Sequence, residues 1–222
     1  MKYEFFLKCH VKGRETMNRY LGPVRRLFLK NPKFTIISNN CWAGHVYRYF
    51  KLGYNTPTVG LYIHAEDYIK FCNNLKHYID KSSEMTFITY EESRFKDDLV
   101  AHNNTHCPIG VIDDIEIIFL HYKTTQEAYD KWNRRSKRIV WDNLYFKFSE
   151  QNLCDVEHLK QFDQLPYSPK FVFTSKNYGL DSQVIFKEYL GQMGGVTNET
   201  QLFRKYINLI RFINKKPFKQ RQ

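Results

Sequence analysis

The chain has 222 residues, of which 42% are hydrophobic and 17% aromatic; this composition excludes a disordered protein, and the length suits one folded domain with a sizeable core or two small domains. Apolar runs span only a few residues, so no membrane-crossing helix of roughly 20 apolar residues is expected. The net charge of +11 is concentrated at the ends, since residues 11–33 contribute +6 and residues 200–222 contribute +7. This distribution disfavours nucleic-acid binding, which usually uses a basic face distributed through the fold, and it suits anionic membrane headgroups.

The first half of the chain predicts alternating helices and strands. Helical spacing from Met17 to Phe28 predicts two short helices, or one helix kinked at Pro23. "NPKFTII" predicts a strand, "AGHVYRYFKLG" a helix ended by Gly53, and "TPTVGLYI" a second strand. "AEDYIKFCNNLKHYI" has the apolar spacing of one long amphipathic helix.

The second half continues the alternation. "EMTFITY" predicts a strand, residues 101–108 a loop, and "IGVIDDIEIIFLHY" one or two extended segments. "TTQEAYDKWNRRSKRI" predicts a helix that starts at Thr124 or Thr125, and "CDVEHLKQFDQL" one capped near Asp155. "NLYFKFS" and "KFVFTS" predict strands, "GQMGG" at 191–195 a turn, and "ETQLFRKYINLIRFIN" an amphipathic helix. This order predicts a single α/β domain with a mixed or mostly parallel sheet and helices on both faces.

Targeting and cysteine patterns predict a cytoplasmic protein. The opening "MKYEFFLKCH" lacks the uninterrupted apolar stretch and the small-residue cleavage site of a secretory signal. The cysteines are scattered without a C-x-x-C pair, which is typical of reduced thiols and not of a disulfide framework or a cysteine-rich zinc site. They are Cys9, Cys41, Cys72, Cys107 and Cys154.

The first candidate site is the turn "NNCW", which follows the first predicted strand. In open α/β sheets, ligands bind where strands end and helices begin. Cys41 would start a helix, where free N–H groups and the helix dipole lower a thiol pKa. Asn39 and Asn40 offer amide donors for an oxyanion or a sugar hydroxyl, and Trp42 is assigned to substrate binding with them. The alternative is structural, with asparagines that cap the helix and a cysteine that packs as a small hydrophobe.

The second candidate is "DDIEIIFLHY", in which Asp113, Asp114 and Glu116 accompany an apolar run. Carboxylates in a packed sheet need partners, so these acids suit a bound metal ion or a catalytic histidine such as His121. Asp113 and His121 would lie about 26 Å apart on one extended strand, so they meet only if the segment bends or forms two strands. The alternative is a solvated sheet edge whose charges discourage strand addition.

The third candidate is "KWNRRSKRIVWDNLYFKF". Its arginines suit a phosphate or carboxylate, its tryptophans suit sugar rings or stacked bases, and "WDN" suits a turn or a binding loop. The alternative is an amphipathic helix whose arginines pair with the acids at 113–116. The residues assigned to substrate binding, together with Glu116, are Trp132, Arg135, Arg138, Trp141, Asp142 and Asn143.

Several of these segments resemble one family when they are taken together. "FTIISNNCWAG", "YNTPTVGLYI", "DYIKF", "PIGVIDDIEIIFLHY" and "WDNLYFKFS" follow one another, from about Phe34 to Thr174, as in the DUF1919 proteins. The family's turn usually has two glycines after Cys-Trp, and here Ala43 replaces the first. DUF1919 proteins are associated with bacterial exopolysaccharide and capsule biosynthesis, so the resemblance implies a cytoplasmic α/β protein of surface-polysaccharide assembly.

Two functions follow as hypotheses. The first is a transferase that moves an acyl, phospho or glycosyl group from a sugar nucleotide or lipid-linked sugar. Cys41 would be its nucleophile or a binding residue, and His121 with Asp113 or Asp114 would transfer protons. Basic amphipathic segments at 14–30 and 200–214 would hold it at the anionic inner face of the membrane. The second is a non-catalytic carbohydrate-binding or assembly subunit. The sequence assigns no metal ligand, and it leaves the cofactor and oligomeric state open.

Overall fold

The computed structural model describes residues 2–190, 195–197 and 199–215, with side chains from residue 13 onward except that of residue 14. The strands are β1 (Thr35–Ser38), β2 (Thr86–Ile88), β3 (Ile109–Ile112), β4 (Ile115–Ile118), β5 (Leu144–Ser149), β6 (Lys170–Thr174) and β7 (Gln183–Ile185). The α-helices are α1 (Lys2–Arg26), α2 (Trp42–Tyr49), α3 (Ala65–Asn73), α4 (Leu75–Asp80), α5 (Lys96–Ala101), α6 (Thr125–Ser136), α7 (Val156–Gln164), α8 (Glu199–Tyr206) and α9 (Leu209–Ile213). Short 3₁₀ turns occupy Lys81–Glu84 and Lys187–Tyr189.

Two sheets form the centre of the molecule. β1, β5, β6 and β7 make a parallel sheet in that order, and β2, β3 and β4 make an antiparallel sheet. A single bridge between Tyr62 and Ile118 connects the segment beside β1 to β4. The predicted single α/β domain with a mixed set of strands and flanking helices is confirmed.

Both faces of the parallel sheet are buried, because neighbouring residues of each strand enter different hydrophobic clusters. Ile37, Phe146 and Val172 pack with α3, α6 and α7 on one face. The residues next to these along each strand, such as Ile36 and Phe171, point to the opposite face and pack with α2, α8 and α9. Near-continuous apolar strands are typical of a parallel sheet that is covered on both sides.

Helix starts follow the sequence closely. Thr124 Oγ1 accepts the N–H of Glu127 at 3.1 Å, and Asp155 Oδ1 accepts the N–H of His158 at 2.9 Å. Both predicted N-caps are therefore confirmed, because a side-chain oxygen satisfies a donor that the first helical turn leaves free.

Three predicted strands and helices have different boundaries in the structure, and backbone geometry explains the first two. "TPTVGLYI" forms no strand beyond its one bridge, since Pro57 accepts the N–H of Val59 in a tight turn and Gly60 has a φ of +76°. The long predicted helix of residues 65–79 is interrupted at Asn74, whose φ of −125° separates α3 from α4. The first helix, by contrast, runs unbroken through Pro23.

The end of α2 also differs. Lys51, with a φ of 51°, supplies the left-handed residue after the helix, and the next N–H, that of Leu52, donates to the carbonyl of Tyr47 at 2.9 Å. Gly53, predicted for that role, lies two residues further along. The sequence did not predict β7, because a strand of three residues is too short to show a pattern. The predicted C-terminal helix is divided into α8 and α9. The turn predicted at 191–195 lies outside the described residues except for Gly195.

Within the described ranges, no helix combines the length and the apolar content needed to cross a membrane.

Candidate functional site

A cleft of about 570 Å³ opens beyond the carboxyl end of β1, where the sequence predicts a site. α1, α2, α6 and α8 contribute to its walls, together with the segments around Gly60 and His121. Basic and imidazole side chains dominate its polar lining: they are His45, Arg48, His121, Lys131, Arg135 and Arg204. Glu15 is the carboxylate among the described residues that line it, so the cleft favours an anionic ligand.

Cys41 and His121 both line this cleft. The Cys41 thiol donates to the carbonyl of Leu61 at 3.5 Å. Burial raises the pKa of Cys41, outweighing a backbone hydrogen bond from Gly60 and the charge of Arg48, which act in the opposite direction. Cys41 lies at the start of α2 as predicted, but its pKa is raised and not lowered as the sequence suggested, because desolvation of the thiolate is the largest effect on it.

We expect Cys41 to react slowly with iodoacetamide at pH 7, since alkylation requires the thiolate and burial disfavours that form. Quenched alkylation followed by peptide mass spectrometry would measure its rate against a free thiol such as glutathione. A rate for Cys41 above that of glutathione would contradict the raised pKa and restore the nucleophile hypothesis.

The asparagines turn away from the cleft and bind a buried lysine. Lys147 of β5 is fully buried, and its Nζ donates to Asn40 Oδ1 at 3.0 Å and to Asn39 Oδ1 at 3.5 Å. Asn40 Oδ1 also accepts the N–H of Trp42 at 3.1 Å, which supports the capping alternative. Neither asparagine is among the residues that line the cleft.

Glu199, at the start of α8, is the acidic partner of Lys147. Its carboxylate forms a salt bridge with Lys147 Nζ and accepts a hydrogen bond from Ser149, and Gln151 Nε2 donates to it at 3.3 Å. Burial lowers the pKa of Lys147 to about 8, although the charge of Glu199 acts to raise it. Sequence reasoning missed this pair. The available signal was a lysine inside "YFKF", a strand whose two faces are both apolar.

The acids of the second candidate lie outside the cleft, on or beside a hairpin turn. Asp113 has a φ of 57° between β3 and β4, and its carboxylate contacts His77 at 2.8 Å and Lys81 at 3.2 Å. These two partners hold the pKa of Asp113 below its ordinary value. Asp114 accepts a hydrogen bond from Tyr78 at 2.7 Å.

Glu116 is buried and bonded to Arg94, whose Nε lies 3.1 Å from the Glu116 carboxylate. The alternative in which these acids pair with the arginines of α6 is therefore wrong: Glu116 binds Arg94, and the two aspartates bind side chains from the region of α3 and α4. His121 lies at the far end of β4 from the hairpin, so the predicted proton-transfer pair of His121 with Asp113 or Asp114 is not assembled. The segment forms two strands, but the turn between them lies at the aspartates, so the whole of β4 still separates Asp113 and Asp114 from His121.

α6 divides the third candidate between the cleft and the core. Arg135 lines the cleft, and its guanidinium lies 5.1 Å above the ring of Tyr54, whereas Arg138 is exposed and does not line it. Trp132 is buried and donates its Nε1–H to Ser82 at 3.1 Å, so it has no face free for a sugar ring.

The remaining residues of that candidate lie away from the cleft. Trp141 is 44% exposed and lines a separate hollow of about 330 Å³ beside α4. Asn143 is buried and donates to the carbonyl of Lys33 at 2.8 Å, which fastens the chain ahead of β1. Asp142 is exposed, and neither Asp142 nor Asn143 lines the cleft.

In the part of the chain that the structure describes, no three His, Cys, Asp or Glu side chains are grouped so as to hold a metal ion.

The fold and the cleft together define an α/β protein with a basic pocket at the end of its parallel sheet. The chain belongs to the family described as "Domain of unknown function (DUF1919)", whose model matches residues 13–215. It is similar to an uncharacterized protein of Haemophilus influenzae (strain ATCC 51907 / DSM 11121 / KW20 / Rd), with 31% identity over 150 residues. That match covers 68% of this chain and 66%, or about two thirds, of the relative. The family resemblance inferred from the sequence is confirmed.

Proposed function

We propose that the chain is an enzyme of exopolysaccharide or capsule biosynthesis that binds a phosphate-bearing sugar, either a sugar nucleotide or a lipid-linked sugar, in the basic cleft and transfers a group from it. The observation that carries the proposal is the convergence of Arg48, Arg135 and Arg204 on one cleft. Arginine forks match the geometry of phosphate oxygens better than any other side chain.

Arg48 and Arg135 suit an anionic ligand because the protein groups that contact them do not neutralise their positive charge. Arg135 donates to the carbonyl of Val59 at 3.3 Å and to the Tyr122 hydroxyl, both of which are neutral. Arg48 contacts His45 Nδ1 at 3.2 Å. The partners recorded for these two arginines among the described residues are neutral oxygens and an imidazole nitrogen, not carboxylates. Arg135 is buried, and a buried guanidinium without an acid favours an anionic ligand.

Aromatic side chains supply the second part of a sugar-nucleotide site. Tyr49 and Tyr54 line the cleft beside the arginines. The Tyr49 ring is already covered by the guanidinium groups of Arg25 at 4.0 Å and Arg204 at 4.9 Å. Tyr54 is therefore the ring proposed to contact a base or a sugar next to the phosphate group.

For the reaction, His121 is assigned the proton transfer; it is one of two histidines, with His45, among the described residues that line the cleft. In a transfer whose leaving group is a phosphate, His121 would accept the proton of the attacking hydroxyl as that oxygen bonds to the transferred group. The electron pair of the broken bond leaves with the phosphate, whose added charge Arg48 and Arg135 would stabilise. This scheme needs neither a Cys41 nucleophile nor the distant aspartates.

A non-catalytic sugar-binding or assembly subunit is the second candidate. It is favoured by the raised pKa of Cys41 and by the distance of the acids from His121. Release of UDP when the chain is incubated with UDP-sugars and acceptor oligosaccharides would decide for the enzyme. Binding of UDP-sugars without such release would decide for the subunit.

We expect Arg48→Gln and Arg135→Gln each to weaken binding of UDP-N-acetylglucosamine about tenfold or more, because each removes a charge-assisted hydrogen bond to phosphate. Isothermal titration calorimetry gives both affinities directly. Arg48 is exposed, so its variant keeps the fold intact even if the buried Arg135 variant is less stable.

Arg134→Gln is the matched control, since Arg134 lies on the same helix as Arg135 but is exposed and does not line the cleft. It should bind the probe as tightly as the wild type. Equal losses in all three variants would show a general charge effect. No binding of UDP-N-acetylglucosamine, UDP or pyrophosphate by the wild-type chain would refute the proposed ligand.

A further inference from the structure

From residue 17 onward, α1 and the two residues just past it expose large apolar side chains to solvent. Six large hydrophobic side chains at helical spacing are between 42% and 83% exposed. Four of them belong to α1, and the other two follow its last residue. They are Met17, Tyr20, Leu21, Val24, Leu27 and Phe28, and together they are called the α1 apolar stripe. The other large hydrophobic residues that are exposed lie scattered over the described surface, which is ordinary for a protein; they are Val100, Trp141, Leu153, Val156 and Leu190.

The inward side of the same helix is polar and firmly packed. Arg25 Nη1 donates to Asn18 Oδ1 at 2.8 Å and to the carbonyl of Tyr49 at 3.2 Å, and its guanidinium lies 4.0 Å above the Tyr49 ring. Gly22 approaches α2 so closely that a Cβ there would lie 2.7 Å from Lys51 Cβ. The described part of α1 therefore contacts the fold through Asn18, Gly22 and Arg25 and leaves its large apolar residues exposed, whereas a helix usually buries its apolar face.

The chain just past α1 is also fastened, so the orientation of the stripe is fixed. Leu29 is buried in the same cluster as α2 and α9. Asn214 after α9 donates to the carbonyl of Phe28 at 2.8 Å and accepts the N–H of Lys30 at 2.8 Å. The stripe is held outward by contacts on the opposite side, and no described residue covers it.

We propose that the α1 apolar stripe docks the chain on an anionic lipid bilayer, with the helix lying in the headgroup layer. An interfacial helix of this kind combines an apolar face with basic residues that meet anionic headgroups. α1 has seven Lys or Arg residues against two Glu. A second copy of the chain fits the stripe less well, because it would bring a helix of the same positive charge, on a chain of net charge +11, against the first.

This docking would also select the substrate, a step that rests on the proposed function. Glu15 and Asn18 of α1 line the basic cleft, so a bilayer against α1 would lie at the cleft mouth. A sugar whose phosphate is attached to a membrane lipid would then reach the arginines without leaving the bilayer. The lipid-linked sugar is therefore the favoured class over the soluble sugar nucleotide.

Flotation of the full chain with vesicles tests the docking. Vesicles of phosphatidylcholine with phosphatidylglycerol should float the wild type at low salt, and Leu21→Glu/Val24→Glu should reduce the partition coefficient about tenfold or more, since two apolar anchors are replaced by charges. Val100→Glu/Val156→Glu is the matched control. It adds the same charge at two helix positions that are 58% and 42% exposed but lie outside α1.

Equal flotation of the wild type and the α1 variant would overturn the proposal, as would equal losses in the two double variants. Failure of the wild type to float, with a dimer in light scattering that only the α1 variant abolishes, would assign the stripe to a second copy instead.

Different outcomes would refute the proposed function and the membrane docking. Binding of UDP-N-acetylglucosamine by the α1 variant, measured without lipid, should match the wild type. If the wild type floats but binds neither UDP nor pyrophosphate, the docking holds and the ligand assignment falls. If it binds UDP but does not float, the ligand assignment holds and the docking falls.

Discussion

Lys147→Met should lower the free energy of unfolding by about 3–5 kcal/mol at pH 7, because it leaves the Glu199 carboxylate buried without its cation. The two side chains are 0% and 2% exposed, so water cannot replace the lost partner. Glu199→Gln should cost a similar amount by leaving Lys147 charged and buried. Both values would come from urea denaturation followed by circular dichroism.

The double variant Lys147→Met/Glu199→Gln should recover most of that loss. Replacing both members of a buried ion pair removes the two desolvation costs together, and such replacements are often close to neutral. A double-mutant cycle therefore should give a coupling energy of about 2 kcal/mol or more. If the two single losses simply add in the double variant, the pair is not coupled and the buried salt bridge is not what holds α8.

The position of this pair links stability to the cleft. Glu199 begins α8, and the same helix places Thr200 and Arg204 in the cleft wall. Lys147 in the central strand β5 thus fastens a wall of the site to the most buried part of the sheet. Single variants of the pair should loosen that wall as well as the fold.

The sequence identified most of the elements because their signals are local. Apolar strands such as "FTII" and caps such as Thr124 and Asp155 depend on a few neighbouring residues. Gly53 failed as a helix terminator because Lys51 takes the left-handed angle two residues earlier, where packing against Gly22 fixes the chain. That choice depends on a contact with α1, which no local pattern contains.

The sequence placed the candidate site at the correct strand end, but it also assigned to that site residues that lie elsewhere in the structure. Cys41, His121 and Arg135 do meet in one cleft, since turns after strands gather at the edge of a sheet. Asp113 and His121 were grouped as a proton-transfer pair that required the segment to bend, but β4 extends between them and keeps them apart. Arg48, Arg204 and the Lys147–Glu199 pair were not identified because only tertiary packing brings residues 48, 147, 199 and 204 to one place.

The exposed apolar residues of α1 show another limit of prediction from sequence. Periodicity predicts a helix from Met17 to Phe28, and the basic charge of the segment suggests that its apolar side meets a membrane. The structure places Asn18 and Arg25 inward and the apolar residues outward. A hydrophobic period reports that a helix has an apolar side, and it does not report which partner that side meets.

Trp42→Ala should lower the free energy of unfolding by about 3–5 kcal/mol, comparable to the loss from the buried ion pair, because it removes a large side chain from a packed core. Trp42 is 0% exposed, and its ring makes edge contacts with Phe171 at 5.3 Å and Phe203 at 5.4 Å. A sugar ring cannot stack on an indole enclosed in this way, so the role predicted from the sequence conflicts with its burial.

Trp42→Phe separates packing from binding. Trp42 Nε1 has no hydrogen-bond partner among the described residues, so phenylalanine loses volume but no hydrogen bond. We expect this variant to stay folded and to bind UDP-N-acetylglucosamine as tightly as the wild type. Trp141→Ala, at a site 44% exposed, is the control that should change stability by less than about 1 kcal/mol. A folded Trp42→Phe variant that loses tenfold or more in affinity would return Trp42 to the binding site, and would require α2 to open when the ligand binds.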